Sequence, residues 1–155
     1  MIHKIEEKDR ESFLSLTRAF YASPAVLHPV PEEYHIAVFE EMMRSDVYAE
    51  GYLFEYEGIP AGYALLAKTF SHEAGGLVIW IEEIYTVPAF RGKGLGREFF
   101  AFLDRKYGST AKRLRLETEP NNKRAEALYR SLGFDTLGSV SYTHLRAHET
   151  CADLV

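Results

Sequence analysis

The sequence predicts a mixed α/β (α+β) fold in which helices flank one central β-sheet. Three observations support this prediction. Residues 9–23 place apolar side chains at helical spacing, and residues 51–71 contain two strand-like runs on either side of the turn-forming EGIP. Residues 77–87 are a long apolar run that leads through a glycine-rich loop into a helix-like segment. The length of 155 residues fits a single domain.

The first half of the chain is predicted to contain a short strand, two helices and a hairpin. The strand lies within residues 2–7, and the first helix, over 9–23, has an apolar face that includes Phe13. The stretch SPAVLHPVP (23–31) carries three prolines in nine residues and therefore forms a loop. The second helix, over 31–45, begins with proline and acidic residues, as helix N-termini often do.

The second half is predicted to alternate strands with helices. Residues 77–87 are apolar on both faces, which places that strand inside the sheet with cover on both sides. A helix follows over 94–108, then a strand over 112–120 in which arginine alternates with leucine, and then a helix over 122–134. A final strand completes the predicted order: strand, two helices, strand meander, strand–helix–strand–helix–strand.

Composition excludes several functional classes. A net charge of −5 argues against a nucleic-acid partner, because phosphate binders usually carry a basic surface. The opening MIHKIEEKDRESFLSL has no apolar signal core, and no run approaches the roughly 18 apolar residues of a membrane span. A single cysteine, Cys151, allows no internal disulfide and no cysteine-based metal site. We therefore expect a cytoplasmic protein with no membrane partner.

The stretch RGKGLG (91–96) predicts an anion site at the start of a helix. A Walker loop is excluded because Arg97 and Glu98 follow Gly96, and a dinucleotide fingerprint fails because the sixth position counted from Gly92 is Arg97. Glycines admit close approach of a ligand, and the amides of a first helical turn form a cradle at the positive end of the helix dipole. A pyrophosphate suits this cradle; the alternative is a tight turn without a ligand.

Two segments resemble the GNAT superfamily of N-acetyltransferases. IEEIYTVPAFRGKGLGREFF resembles the acetyl-CoA motif of that superfamily, and NNKRAEALYRSLGF is similar to its later N-x-x-A-x-x-x-Y…GF segment. The resemblance covers about residues 1–138 and is strongest from Leu77 to Phe134. It implies a GNAT-like mixed, mostly antiparallel sheet flanked by about four helices.

The resemblance also implies acetyl-CoA as co-substrate and no metal. Loop amides would hold the pyrophosphate, with Arg91 adding charge, and the strand before the loop would offer backbone groups to the pantetheine arm. Residues of the last helix would contact the arm and the thioester sulfur. The cofactor residues implied by the match are Ile84, Tyr85, Thr86, Arg91, Gly92, Lys93, Gly94, Leu95, Gly96, Arg97, Asn122 and Tyr129.

Glu82 and Glu83 are the candidate general bases. An attacking amine must lose a proton near neutral pH, and a carboxylate can take it. The adjacent acids resemble those of spermidine/spermine acetyltransferases, a match that implies Glu82 as base and Glu83 as a substrate contact. A regular strand would point them to opposite faces, a bulge would change that, and either acid could instead pair with a neighbouring Arg or Tyr. Glu117 is a third candidate, and Tyr129, unless it only packs, would protonate the leaving thiolate.

The predicted function is transfer of an acetyl group from acetyl-CoA to a primary amine of a small molecule. Acetylation of a protein N-terminus or lysine remains an alternative, as does a non-catalytic coenzyme-A-binding sensor. The acceptor side is expected near the proline-rich loop or the SHEAGG loop, and a homodimer is left open. The candidate acceptor contacts are Tyr21, His28, Tyr34, His72 and Glu73.

The last segment, SVSYTHLRAHET (139–150), resembles a translated sequencing adapter. We therefore expect one acetyltransferase domain over residues 1–138 and a foreign tail over 139–155. The i, i+4 pair His144 and His148 has metal-like spacing but lacks a third ligand, and it lies in this tail.

Overall fold

The computed structural model describes residues 1–143. Residues Met1–Glu119 form one compact unit, and a second unit begins at Pro120. Cys151, His144 and His148 lie outside the described residues, and the predicted domain limit at residue 138 stays a prediction. The strands and helices are β1 (Ile2–Lys4), α1 (Arg10–Tyr21), α2 (Glu32–Arg44), β2 (Ala49–Tyr56), β3 (Ile59–Ser71), β4 (Gly76–Thr86), α3 (Leu95–Tyr107), β5 (Ala111–Leu116) and α4 (Lys123–Ser131).

The first unit is built on a five-stranded sheet with the order β1-β2-β3-β4-β5. The first four strands pair antiparallel, and β4 pairs parallel to β5. The parallel pair requires a crossover, which α3 provides. The predicted mixed, mostly antiparallel sheet is confirmed, and β4 lies inside the sheet as its apolar faces predicted.

The hairpin between β2 and β3 turns where the sequence predicted. Glu57 and Gly58 have φ angles of 51° and 77°. Two consecutive residues with positive φ match the twist of the flanking strands, and glycine adopts this conformation without steric cost. The turn fixes the register of β3 against β2 and so determines which side chains β3 presents to each face.

The two faces of the sheet have separate cores. On one face, which we call the α1/α2 face, Tyr63 of β3 packs edge-on against Phe13 of α1, with ring centroids 5.5 Å apart. On the other, the α3 face, Phe54 of β2 packs against Phe99 of α3 at 5.2 Å. All four rings are essentially inaccessible to solvent. Burial of apolar side chains on both faces therefore stabilises the sheet.

The second unit contains α4 among its described residues. The Asn122 side chain caps this helix by accepting a hydrogen bond from the Ala125 amide at 3.2 Å, as predicted. Gly133, just after the helix, has a φ of 88°. The predicted final strand is not found within the described residues 132–143, which contain no strand. A strand requires a hydrogen-bonded neighbour, and none of the recorded strand pairs includes this segment.

A buried carboxylate ties β2 to α3 on the α3 face. Glu50 is 2% exposed, and its oxygens accept hydrogen bonds from the hydroxyls of Tyr52 and Tyr107. Its oxygens also lie 2.8 Å from Lys68 Nζ and 3.3 Å from Lys106 Nζ. Burial alone would raise the pKa of Glu50, but the hydrogen bonds from Lys68, Tyr107 and Tyr52 outweigh it and lower the pKa to about 2.

This cluster predicts a specific acid sensitivity. Since the folded pKa of Glu50 is about 2 against an ordinary value of 4.5, its ionised form stabilises the fold above pH 4.5, and that stabilisation is lost as pH falls towards 2. The loss amounts to about 3 kcal/mol. Denaturant unfolding of the wild type and Glu50→Gln should show their stability difference shrinking over this range. A difference that does not change with pH would contradict the assignment.

Candidate active site

The glycine loop has the backbone geometry of an open turn before a helix. Gly92 and Gly94 have φ angles of 78° and 84°, and Gly94 is the N-cap of α3. A Cβ atom at either position would meet no atom within 4 Å. Glycine is therefore favoured here by the left-handed backbone and not by crowding, and the side of the loop that faces away from the chain is open.

The start of α3 supplies an anion cradle. The Glu98 amide donates to the Gly94 carbonyl at 3.0 Å, so the amides of the first turn precede the first intrahelical hydrogen bond. Arg91 Nε donates to the Thr86 carbonyl at 3.1 Å, which joins the loop to the end of β4. Lys93 lies over the Tyr56 ring, 5.7 Å from its centroid. Outward amides, the helix dipole and basic side chains together fit a pyrophosphate.

Beside this loop, β4 continues past β5. Their last recorded pair is Ile81 with Leu116, and within the described residues Glu82–Thr86 have no partner on β5. The unpaired edge of β4 is where the cofactor arm was predicted to lie. The Tyr85 ring is only 7% exposed and packs 5.5 Å from Phe20, so the backbone of Tyr85, and not its ring, remains for that role.

A β-bulge determines where the paired acids point. Leu65 pairs with Glu83 and the next β3 residue, Leu66, pairs with Ile81, so Glu82 is an extra residue in β4. After the bulge, Glu83 accepts a hydrogen bond from Tyr21 of α1. The bulge therefore interrupts the regular alternation of β4 at the paired acids.

Two tyrosines hold the Glu83 carboxylate. Tyr21 donates its hydroxyl to Glu83 Oε1 at 2.7 Å, and Tyr63 donates to Glu83 Oε2 at 2.5 Å. Burial and the negative charge of Glu83 raise the pKa of both tyrosines, so both remain donors at neutral pH. The pairing of an acid with tyrosine, considered from the sequence as an alternative, is realised at Glu83.

Glu82 has a different environment. It is exposed, yet desolvation by its surroundings, together with the negative charges of Glu83 and Glu117, raises its pKa above the ordinary value. A carboxylate with a raised pKa accepts a proton more readily. The two adjacent acids are therefore chemically distinct, one fixed by phenols and one poised to take a proton.

A cavity of about 130 Å³ opens beside Glu83. The predicted acceptor contacts Tyr21 and Tyr34 line it, whereas His28, His72 and Glu73 are not among its lining residues, and Glu73 instead pairs with Arg113 at 3.5 Å. The lining residues are Thr17, Tyr21, Val30, Tyr34, His35, Val38 and Glu83.

Sequence reasoning missed Thr17 and His35 in this cavity. Thr17 and Tyr21 are four residues apart on α1 and so share a helix face. That spacing, next to a proline-rich loop, was the available signal. His35 carried no comparable signal, because a buried histidine on α2 becomes recognisable only once the helices are packed together.

Asn122 and Tyr129 belong to the second unit. Asn122 is the N-cap of α4, and the Tyr129 ring packs against Phe134 with centroids 6.1 Å apart. Burial raises the pKa of Tyr129, so its hydroxyl stays protonated at neutral pH, as a proton donor requires. Their roles towards the cofactor and the thiolate stay predictions.

Among the described residues 1–143, no group of three or more His, Cys, Asp or Glu side chains is arranged to hold a metal ion. No helix in that part of the chain combines the length and apolar character of a membrane span.

Comparison with known families gives one match that spans most of the chain. Residues 10–134 match the model of the acetyltransferase (GNAT) family. This match confirms the family that the two motifs resembled and, with it, the predicted class of acetyl-CoA-dependent N-acetyltransferase.

Individual relatives are more distant. The chain is 24% identical over 121 residues to an aminoglycoside N(6')-acetyltransferase type 1 of Salmonella typhimurium strain LT2, covering 75% of this chain and 82% of that protein. Among solved structures, AAC(6')-Iy with a coenzyme A bisubstrate analog aligns with a TM-score of 0.78 at 20% identity, covering 95% and 98% of the two chains. A possible acetyltransferase from Clostridium difficile 630 aligns with a TM-score of 0.82 at 15% identity, covering 96% and 98%. These structures confirm the predicted fold.

Proposed function

Because the chain belongs to the acetyltransferase (GNAT) family, we propose that the acetyl group goes from acetyl-CoA to a primary amine of a small molecule. The observation that carries this proposal is the pair of acids at the bulge. Glu83 lines the cavity with both oxygens held by tyrosine hydroxyls, and Glu82 is adjacent with a raised pKa. Such a site attracts a cationic amine and can also remove its proton.

The two acids divide this work between them. The amine arrives as an ammonium ion, which the Glu83 side chain attracts at the cavity wall. Glu82, directly or through a water molecule, takes one proton and leaves the nitrogen lone pair free to attack. Acetyl-CoA supplies a thioester carbonyl that is activated towards amines. In this proposal, amides of the unpaired β4 edge donate to the carbonyl oxygen, and Tyr129 is the predicted donor to the departing sulfur.

The size of the cavity favours a small amine or the end of a larger one. At about 130 Å³ it is smaller than the roughly 300 Å³ typical of sites that enclose a drug-sized ligand. Only the amine-bearing end of an aminoglycoside would therefore enter, with the rest outside. The distant likeness to an aminoglycoside N(6')-acetyltransferase makes aminoglycosides one class to test.

An acceptor panel tests the proposal. Thiol release from acetyl-CoA should be measured with a thiol dye against polyamines, aminoglycosides, amino acids and a lysine-containing peptide, with coenzyme A binding measured in parallel by calorimetry. We expect turnover with at least one small amine and little with the peptide. Turnover with the peptide alone would favour a protein acetyltransferase. Coenzyme A binding without turnover on any amine would favour a sensor.

A further inference from the structure

The cavity wall contains a buried polar pair that the proposed chemistry does not use. Thr17 on α1 is 3% exposed and His35 on α2 is 6% exposed, and Thr17 Oγ1 lies 3.0 Å from His35 Nδ1. Both residues line the cavity beside Glu83. Buried polar groups are costly unless they are hydrogen-bonded, so this pair is held in a defined arrangement.

The pair reaches Glu83 through Tyr21. The His35 ring packs edge-on against the Tyr21 ring, with centroids 5.3 Å apart and planes at 72°, and Tyr21 donates to one Glu83 oxygen. Tyr63 donates to the other oxygen. The Tyr21 donor is therefore supported, one contact further back, by His35, which its contact with Thr17 holds in place.

We propose that Thr17 and His35 are positioning residues: through Tyr21 they fix the Glu83 carboxylate against the cavity in which the acceptor ammonium binds. This inference rests on the proposed function, since it assigns these residues to the acceptor side of the same site. The inference explains why polar side chains, and not only apolar ones, are buried on the α1/α2 face.

The decisive variants are Thr17→Val and Thr17→Ser, which differ in the hydroxyl. Thr17→Val leaves His35 Nδ1 without its hydroxyl partner, and we expect the KM for the amine to rise about tenfold, with kcat and the KM for acetyl-CoA changed less. Thr17→Ser should recover most of the loss. In a Tyr21→Phe background, Thr17→Val should add little, because the route to Glu83 is already broken. Thr69→Val, at an exposed site on β3, controls for the substitution itself.

A readout that does not need turnover separates this inference from the proposed function. The carboxyl carbon-13 resonance of Glu83, identified by its loss in Glu83→Gln, should shift in Thr17→Val and return in Thr17→Ser. An unmoved resonance together with a wild-type KM for the amine would overturn the positioning role, even if the melting temperature falls. If the resonance shifts but the wild type acetylates no amine, the positioning stands and the proposed function fails.

Discussion

Replacing Glu82 by Gln is expected to lower kcat/KM for the amine by about 100-fold or more, because general-base catalysis contributes roughly 10²- to 10⁴-fold. Gln keeps the size and polarity of the side chain but cannot take a proton. Binding of coenzyme A should be unchanged, since Glu82 lies on β4 before the glycine loop. Steady-state kinetics and calorimetry on the same preparations measure both quantities.

The pH dependence of kcat/KM for the amine provides a second test of Glu82 as the base. A base works only when deprotonated, and the pKa of Glu82 is raised above its ordinary value of 4.5. Wild-type kcat/KM should therefore fall on the acid side, with a midpoint above 4.5, as Glu82 becomes protonated. In Glu82→Gln this fall should disappear, leaving only the dependence that comes from deprotonation of the amine itself.

Substitutions of three other acids distinguish a general base from an acid that only attracts the amine. Glu40→Gln, on the exposed surface of α2, controls for loss of one negative charge and should leave the kinetics unchanged. Glu83→Gln should mainly raise the KM for the amine, since Glu83 is proposed to attract the ammonium. If Glu82→Gln keeps its activity and Glu117→Gln loses it, Glu117 is the base and the assignment made here is wrong.

Replacing Gly94 by Asp is expected to weaken binding of coenzyme A by about 100-fold or more. The substitution places a carboxylate at the N-cap of α3, within the cradle proposed to hold a pyrophosphate. Two negative groups in that space repel each other, and the cradle would lose its preference for anions. Calorimetric titration with coenzyme A measures the effect directly.

The chain offers a matched control for backbone strain. Gly58, in the turn between β2 and β3, has a φ of 77° against 84° for Gly94, and a Cβ at either meets no atom within 4 Å. Gly58→Asp therefore carries a similar conformational cost without a charge in the cradle, and it should leave coenzyme A binding intact. Gly94→Ala, which adds strain but no charge, should show an intermediate loss. Equal losses in Gly94→Asp and Gly58→Asp would exclude the cradle.

Much of this protein could be predicted from local patterns. Helical spacing located α1, α2 and α3 within a few residues, and the apolar run of β4 placed that strand inside the sheet. The alternating glycines of the loop permit a left-handed backbone, which Gly92 and Gly94 adopt. These features depend on residues that are close together in sequence. Their local conformation can therefore be predicted from the spacing of apolar residues and glycines.

The arrangement of the paired acids could not be predicted in this way. Spacing put Glu82 and Glu83 on opposite faces of a regular strand, and only the pairing of β4 with β3 creates the bulge that interrupts this alternation. Whether such a bulge forms depends on the register between two strands, which is a property of the assembled sheet.

The sequence by itself determined the order of the elements, the glycine loop and the two acids, and through them the family. The tertiary structure decided how the acids differ. Tyr21 reaches Glu83 across 62 residues of chain and Tyr63 across 20, and the cavity needs α1, α2 and β4 together. Contacts over such separations follow from packing of both sheet faces, because a side chain's partner is set by where its element lies in space and not by its neighbours in sequence.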